Sequence, residues 1–221
     1  PYIALQLKAV SASLQILFQT SGGEFLPGMI DSTFIIAALL ALFTILFGTR
    51  HLDATERHEG MVAAIAFEAV VKLAAFLAVG VFVTYGMFGG LSDLFQRAAA
   101  SPELARLLQM DSSRAETWTA LILLSGLAII FLPRQFQIIV VENVDEAHLK
   151  RAVWLFPLYL VAINIFVLPL ALGGLLHFQG QGFNPDTFVL TLPLARGAES
   201  LALLVFIGGL SAATGMVIVE T

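Results

Sequence analysis

Apolar residues fall in long blocks divided by short polar links, and blocks of roughly 20 residues have the length a helix needs to cross about 30 Å of hydrocarbon. Five complete blocks and one cut short at the end of the chain predict helical spans at about 1–19, 31–49, 61–88, 115–141, 152–177 and 198–221. The first block carries Tyr2, Gln6, Lys8, Ser11, Ser13 and Gln15 in no single clean stripe. It is too polar to face lipid all round and is expected to pack inside a bundle. The second begins at an Asp31/Ser32 cap and is otherwise nearly featureless, which suits a scaffold helix.

Polar residues inside the blocks are the informative exceptions. The run from Leu121 to Val141 is interrupted by Pro133, Arg134 and Gln135. An arginine at mid-depth in a bilayer costs about 2.5 kcal/mol or more unless it faces protein or water. Proline removes a helix donor and frees a carbonyl, and membrane helices tolerate such a break where protein or a wet cavity satisfies the freed group. The segment Pro133, Arg134, Gln135, Phe136 and Gln137 is therefore the candidate solute-lining stretch. Arg134 either anchors the broken helix, holds an anionic group of a solute or snorkels to an interface.

Glu68 and Lys72 stand four residues apart in FEAVVKLAAF, a spacing that puts both charges on one helix face. They form either a clamp between helices or part of an ion pathway. The last block concentrates Gly208, Gly209, Ser211, Ala212, Ala213, Thr214 and Gly215. Small residues favour close approach of a partner backbone. Alternatively, the hydroxyls of Ser211 and Thr214 share a face and join backbone carbonyls around Na⁺. Pro157 and Pro169 are expected to bend the fifth span, Asn164 to join helices, and Trp154 and Tyr159 to anchor at an interface or pack in the bundle.

The links add orientation. Arg50, His51, Arg57 and His58 in one, and Lys150 and Arg151 in another, make short basic loops of the kind usually cytoplasmic. Asn143, Asp145 and Glu146 read as a helix-end cap and a solvated turn. The longer link from Gly89 to Glu116 holds SPELARLLQ, with Ser101 as cap, Pro102 at the first helical position, and Leu104, Leu107 and Leu108 on one face. It predicts a short helix on the outer membrane surface. Its Arg97, Arg106 and Arg114 weaken the charge asymmetry.

Composition agrees with an all-α integral membrane protein: 58% of residues are hydrophobic and 12% charged, against roughly a quarter charged in soluble domains. A net charge of −5 without a basic cluster argues against nucleic acid. The absence of cysteine excludes disulfides and thiolate metal sites. No constellation for covalent chemistry appears, and no covalent cofactor is expected. An opening without Met and an apolar end suggest a single membrane domain over 1–221, continued at both ends by helices of the same chain.

Three passages, GTRHLDATERHEGMVAAIAFEAVVKLAAFLAVG, LPRQFQIIVVENVDEAHLKRAVWLFPLY and FIGGLSAATGMVIVE, resemble the sodium/solute symporter family. Their wording is similar to the branch in which a symporter-like domain is fused to PAS and histidine-kinase modules. The resemblance implies a bacterial inner-membrane, multi-pass transporter built from two inverted five-helix repeats, with these six spans as core helices three to eight. It implies a small solute, an amino acid foremost, carried with Na⁺ or H⁺, and a sensory input role for a C-terminal kinase. A stand-alone symporter and a receptor that does not transport are the alternative readings. The family's glycine-glutamine-proline segment would fall at Pro133, where this chain reads LPRQF without the glycine. Its sodium-binding hydroxyls would fall near Ser211 and Thr214, where SAAT replaces a hydroxyl doublet. Either a shifted register retains a two-hydroxyl site or sodium coupling is lost, and the departure points toward altered, proton-driven coupling with Glu68 as participant.

Overall fold

The computed structural model describes residues 2–20, 59–109, 115–131 and 145–220, with single positions in 34–42 and at 140 and 143. Among the described residues every regular element is helical. In chain order these are α1 (Tyr2–Thr20), α2 (Glu59–Val81) running into a π-helical stretch (Phe82–Met87), α3 (Leu91–Ala100) and α4 (Pro102–Leu107). After them come α5 (Ala115–Phe131), α6 (Glu146–Asn164), α7 (Val167–His177), a 3₁₀ turn (Pro185–Thr187), α8 (Phe188–Ala195) and α9 (Glu199–Glu220).

Two segments are long and apolar enough to cross a membrane, Ile65–Met87 and Ala147–His177. The helical parts of three other blocks are shorter within the described residues, at Ala4–Phe18, Ala115–Ala128 and Glu199–Ala213, and the block at 31–49 lies outside them but for single positions. Only 17% of either long segment is buried, whereas the core helix of a soluble protein hides most of its surface. Trp154, for instance, is 80% exposed, and Val153, Leu155 and Leu158 are exposed beside it. On α5, the run Leu121 to Leu124 is exposed on all sides of the helix.

The fifth predicted span is two helices. Pro169 has no N–H to offer the Ile165 carbonyl, and its ring would collide with that carbonyl in a continuous helix. The chain leaves helical geometry at Phe166 (φ −100°, ψ 2°), and the ladder restarts with Leu170 N–H donating to the Phe166 carbonyl at 2.9 Å. The Phe166 ring packs where a side chain at position 80 would stand, so Gly80 is required there. Pro157, by contrast, sits inside an unbroken α6. Among the described residues Asn164 bonds within its own helix rather than across to another: its Nδ2 donates to Leu160 O, 2.7 Å away. Asp145 caps α6 as expected, its Oδ1 accepting from Ala147 N–H at 2.9 Å.

Among the described residues, packing gathers in clusters of buried side chains. Val79, Val83, Leu170, Phe178, Phe188 and Leu192 form a core where α2, its π-helical extension, α7 and α8 meet. A second cluster of Leu94, Ala98, Leu104 and Leu172 fixes α3 and α4 onto α7. The sequence predicted a short helix at Pro102, and α4 is that helix, but two of its details differ. Ser101 occupies the N-cap position without a cap bond, because its Oγ is buried and unpartnered among the described residues. Leu104 is buried while Leu107 is 69% exposed, so the three leucines do not share one buried face. The helices α3 and α8 were not anticipated.

Candidate functional site

In α2, Glu68 and Lys72 form an ion pair, Nζ to Oε1 2.9 Å, with the Glu68 side chain 13% exposed and that of Lys72 32%. Four residues of helix carry Lys72 one turn past Glu68 on the same face, so the bond forms without distorting the backbone. The acid is the more enclosed partner, and the pair presents its cationic end. One residue from Glu68, the Ala69 carbonyl accepts from the Tyr159 hydroxyl of α6 at 3.4 Å. Tyr159 thus packs within the bundle and ties α6 to the charged stretch of α2.

On the other side α9 lies against α2. A Cβ added to Gly208 would meet Ala75 Cβ at 3.3 Å and Lys72 Cα at 3.8 Å, which is the close approach expected of a small residue. Among the described residues nothing lies within 4 Å of such a Cβ at Gly209, and that position borders a cavity of about 320 Å³ between α1, α2, α8 and α9, with Ile163 of α6. Lys72 and Phe76 reach it from α2, Phe206 and Gly209 from α9, and Asp186 and Thr187 from the 3₁₀ turn. Gln6, Ala9, Val10 and Ser13 complete it from α1. These four stand at helical spacing, so α1 does have a continuous face that the scattered polar residues concealed. Ser13 Oγ meanwhile donates to Ala9 O at 2.8 Å, within its own helix.

The sequence candidates therefore separate. Glu68 and Lys72 are together, and Lys72 alone of the pair lines the cavity. Ser211 is half-buried on α9, one residue beyond the last α9 position on the cavity wall, and Thr214 lies three residues further along that helix. Pro133, Arg134, Gln135, Phe136 and Gln137 lie outside the described residues. Among the described residues no group of three or more His, Asp or Glu could hold a metal ion. Asp186 and the α1 face escaped sequence reasoning. The signal for the face was the spacing of Gln6, Ala9, Val10 and Ser13; Asp186, in a link, gave none.

Compared with family models, curated proteins and solved structures, the chain matches none.

Proposed function

We propose that the chain is a membrane-embedded domain of an inverted-repeat transporter, of the sodium/solute symporter kind, that binds and carries a small solute and serves as the input module of a sensor kinase. The solute site in this reading is the broken helix at Pro133 to Gln137. The observation that carries the proposal is the Glu68–Lys72 pair inside an apolar helix and beside a cavity. Charges within membrane helices are costly and mark solute or ion pathways when they face a bundle interior. The bare apolar flanks of α5 and α6 support the same reading, since lipid or further helices must cover them.

The test is uptake of labelled amino acids by the complete membrane domain reconstituted in vesicles under imposed Na⁺ and H⁺ gradients. Uptake driven by one gradient is expected, and it names the coupling ion. Arg134→Ala and Gln135→Ala should weaken it more than Ser101→Ala. Uptake indifferent to both gradients would sink coupled transport, and equal behaviour of the three variants would remove the broken helix from the solute site.

A further inference from the structure

We infer that the cavity between α1, α2, α8 and α9 is a second solute site, selective for a short zwitterion with an apolar tail, its carboxylate on Lys72 and its ammonium toward Asp186. The inference rests on the membrane-domain reading for its lipid setting, but it needs no transport. At about 320 Å³ the cavity lies at the small end of the range for ligand pockets, roughly 300–1,000 Å³. Among the described residues lining it, Lys72 is the one cation and Asp186 the one anion. An ammonium has three donors; Glu68 takes one, and two are left for a ligand carboxylate. Asp186 is exposed on the 3₁₀ turn, where Asn184 Oδ1 accepts from its backbone N–H at 3.1 Å. No cation pairs with its carboxylate among the described residues. Phe76, Val189, Val205 and Phe206 supply apolar wall, and Ala9 and Gly209 leave room for the ligand to approach backbone.

Net charge ranks a bare carboxylate last, and pairing at both ends ranks a zwitterion above a bare amine. Glu68, Lys72 and Asp186 sum to one net negative charge. A bare carboxylate must therefore enter beside two carboxylates, and a bare amine meets Lys72. A zwitterion satisfies both ends at once, as electrostatic complementarity requires.

The experiment is equilibrium binding of radiolabelled leucine to the full-length protein in detergent, with competition by isopentylamine and 4-methylpentanoate, which keep the tail and lack one charge each. Leucine should bind about tenfold or more tightly than either, with 4-methylpentanoate the weakest, since each lost charge contact is worth at least one decade. Asp186→Asn, an exposed change that spares the fold, should narrow the gap between leucine and 4-methylpentanoate by about tenfold. A Cβ at position 209 meets nothing within 4 Å among the described residues, so Gly209→Leu extends toward the cavity it borders; it should abolish binding with little change in melting temperature. Equal displacement by all three probes, or leucine binding indifferent to Gly209→Leu, overturns the inference. If Arg134→Ala removes binding and Gly209→Leu does not, the solute sits at the broken helix and the cavity site fails while the transporter reading stands. Binding abolished by Gly209→Leu in a protein that shows no gradient-driven uptake gives the converse.

Discussion

Two ion pairs in this molecule have the same design and different surroundings. Glu68–Lys72 and Asp93–Arg97 both place the acid four residues before the base, and their bonds are 2.9 and 2.8 Å. The first lies in an apolar helix, tied through Tyr159 to α6, with Lys72 lining a cavity. The second lies on the exposed side of α3, with Arg97 60% and Asp93 31% exposed. Asp93 also accepts from Gly89 N–H at 2.9 Å, and the Arg97 guanidinium stands 5.7 Å from the Phe88 ring centroid. The local geometry is equal, so spacing alone says nothing of what a pair is worth. Enclosure decides it: an exposed pair contributes little, whereas removing one partner of an enclosed pair strands a charge.

The comparison is tested most severely by Lys72→Met. It should cost about 3 kcal/mol, the low end for an orphaned buried charge, because Glu68 keeps some exposure. Thermal unfolding in detergent measures it, and the double variant Glu68→Gln/Lys72→Met should recover most of the loss. A single-variant cost no larger than that of Arg97→Ala would break the contrast.

Next in size is Gly208→Leu. At position 208 a Cβ is already tight against Ala75, so the larger side chain must push α9 from α2 at about 1–3 kcal/mol. Gly209→Leu, one residue on, should change the melting temperature little. Equal costs at the two positions would mean that α9 does not meet α2 along the Gly208 edge, and Lys72 would lose the packing that orients it.

The blocks around α2 and α6–α7 were legible because block length is a physical requirement, and the charged pair was legible because i, i+4 spacing fixes a shared face. What escaped depended on tertiary partners. Short helices such as α3 and α8 fall below the length of a span, and they are held by Leu94 and Ala98 on Leu172 and by Phe188 against Gly174. Pro157 and Pro169 give the same local signal. The chain breaks only before the second, where Phe166 docks on Gly80. The cavity was hidden for a related reason: polar residues on α1 are visible in the sequence, but which face of α1 meets α9 is set by packing of Val10 against Ala213.

The smallest effect expected is at the exposed pair, and its sign is fixed. The Asp93 carboxyl is held below its ordinary value first by the hydrogen bond from Arg97, then by the Gly89 N–H and the Arg97 charge. A carboxyl whose folded value is depressed stabilises the folded state above its unfolded value, roughly pH 4, and loses that contribution as the pH falls through the folded value. The melting temperature of the native protein should therefore slightly exceed that of Asp93→Asn at pH 7, and the gap should close as the pH falls below about 4. Salt should shrink the same gap at neutral pH, since the pair is open to solvent. The Gly89 amide resonance reports the titration directly, with a midpoint below that of an unperturbed aspartate. A midpoint at or above that value would show that the Asp93 carboxylate is not held by Arg97 and Gly89, and the contrast between the two pairs would then rest on the enclosed one alone.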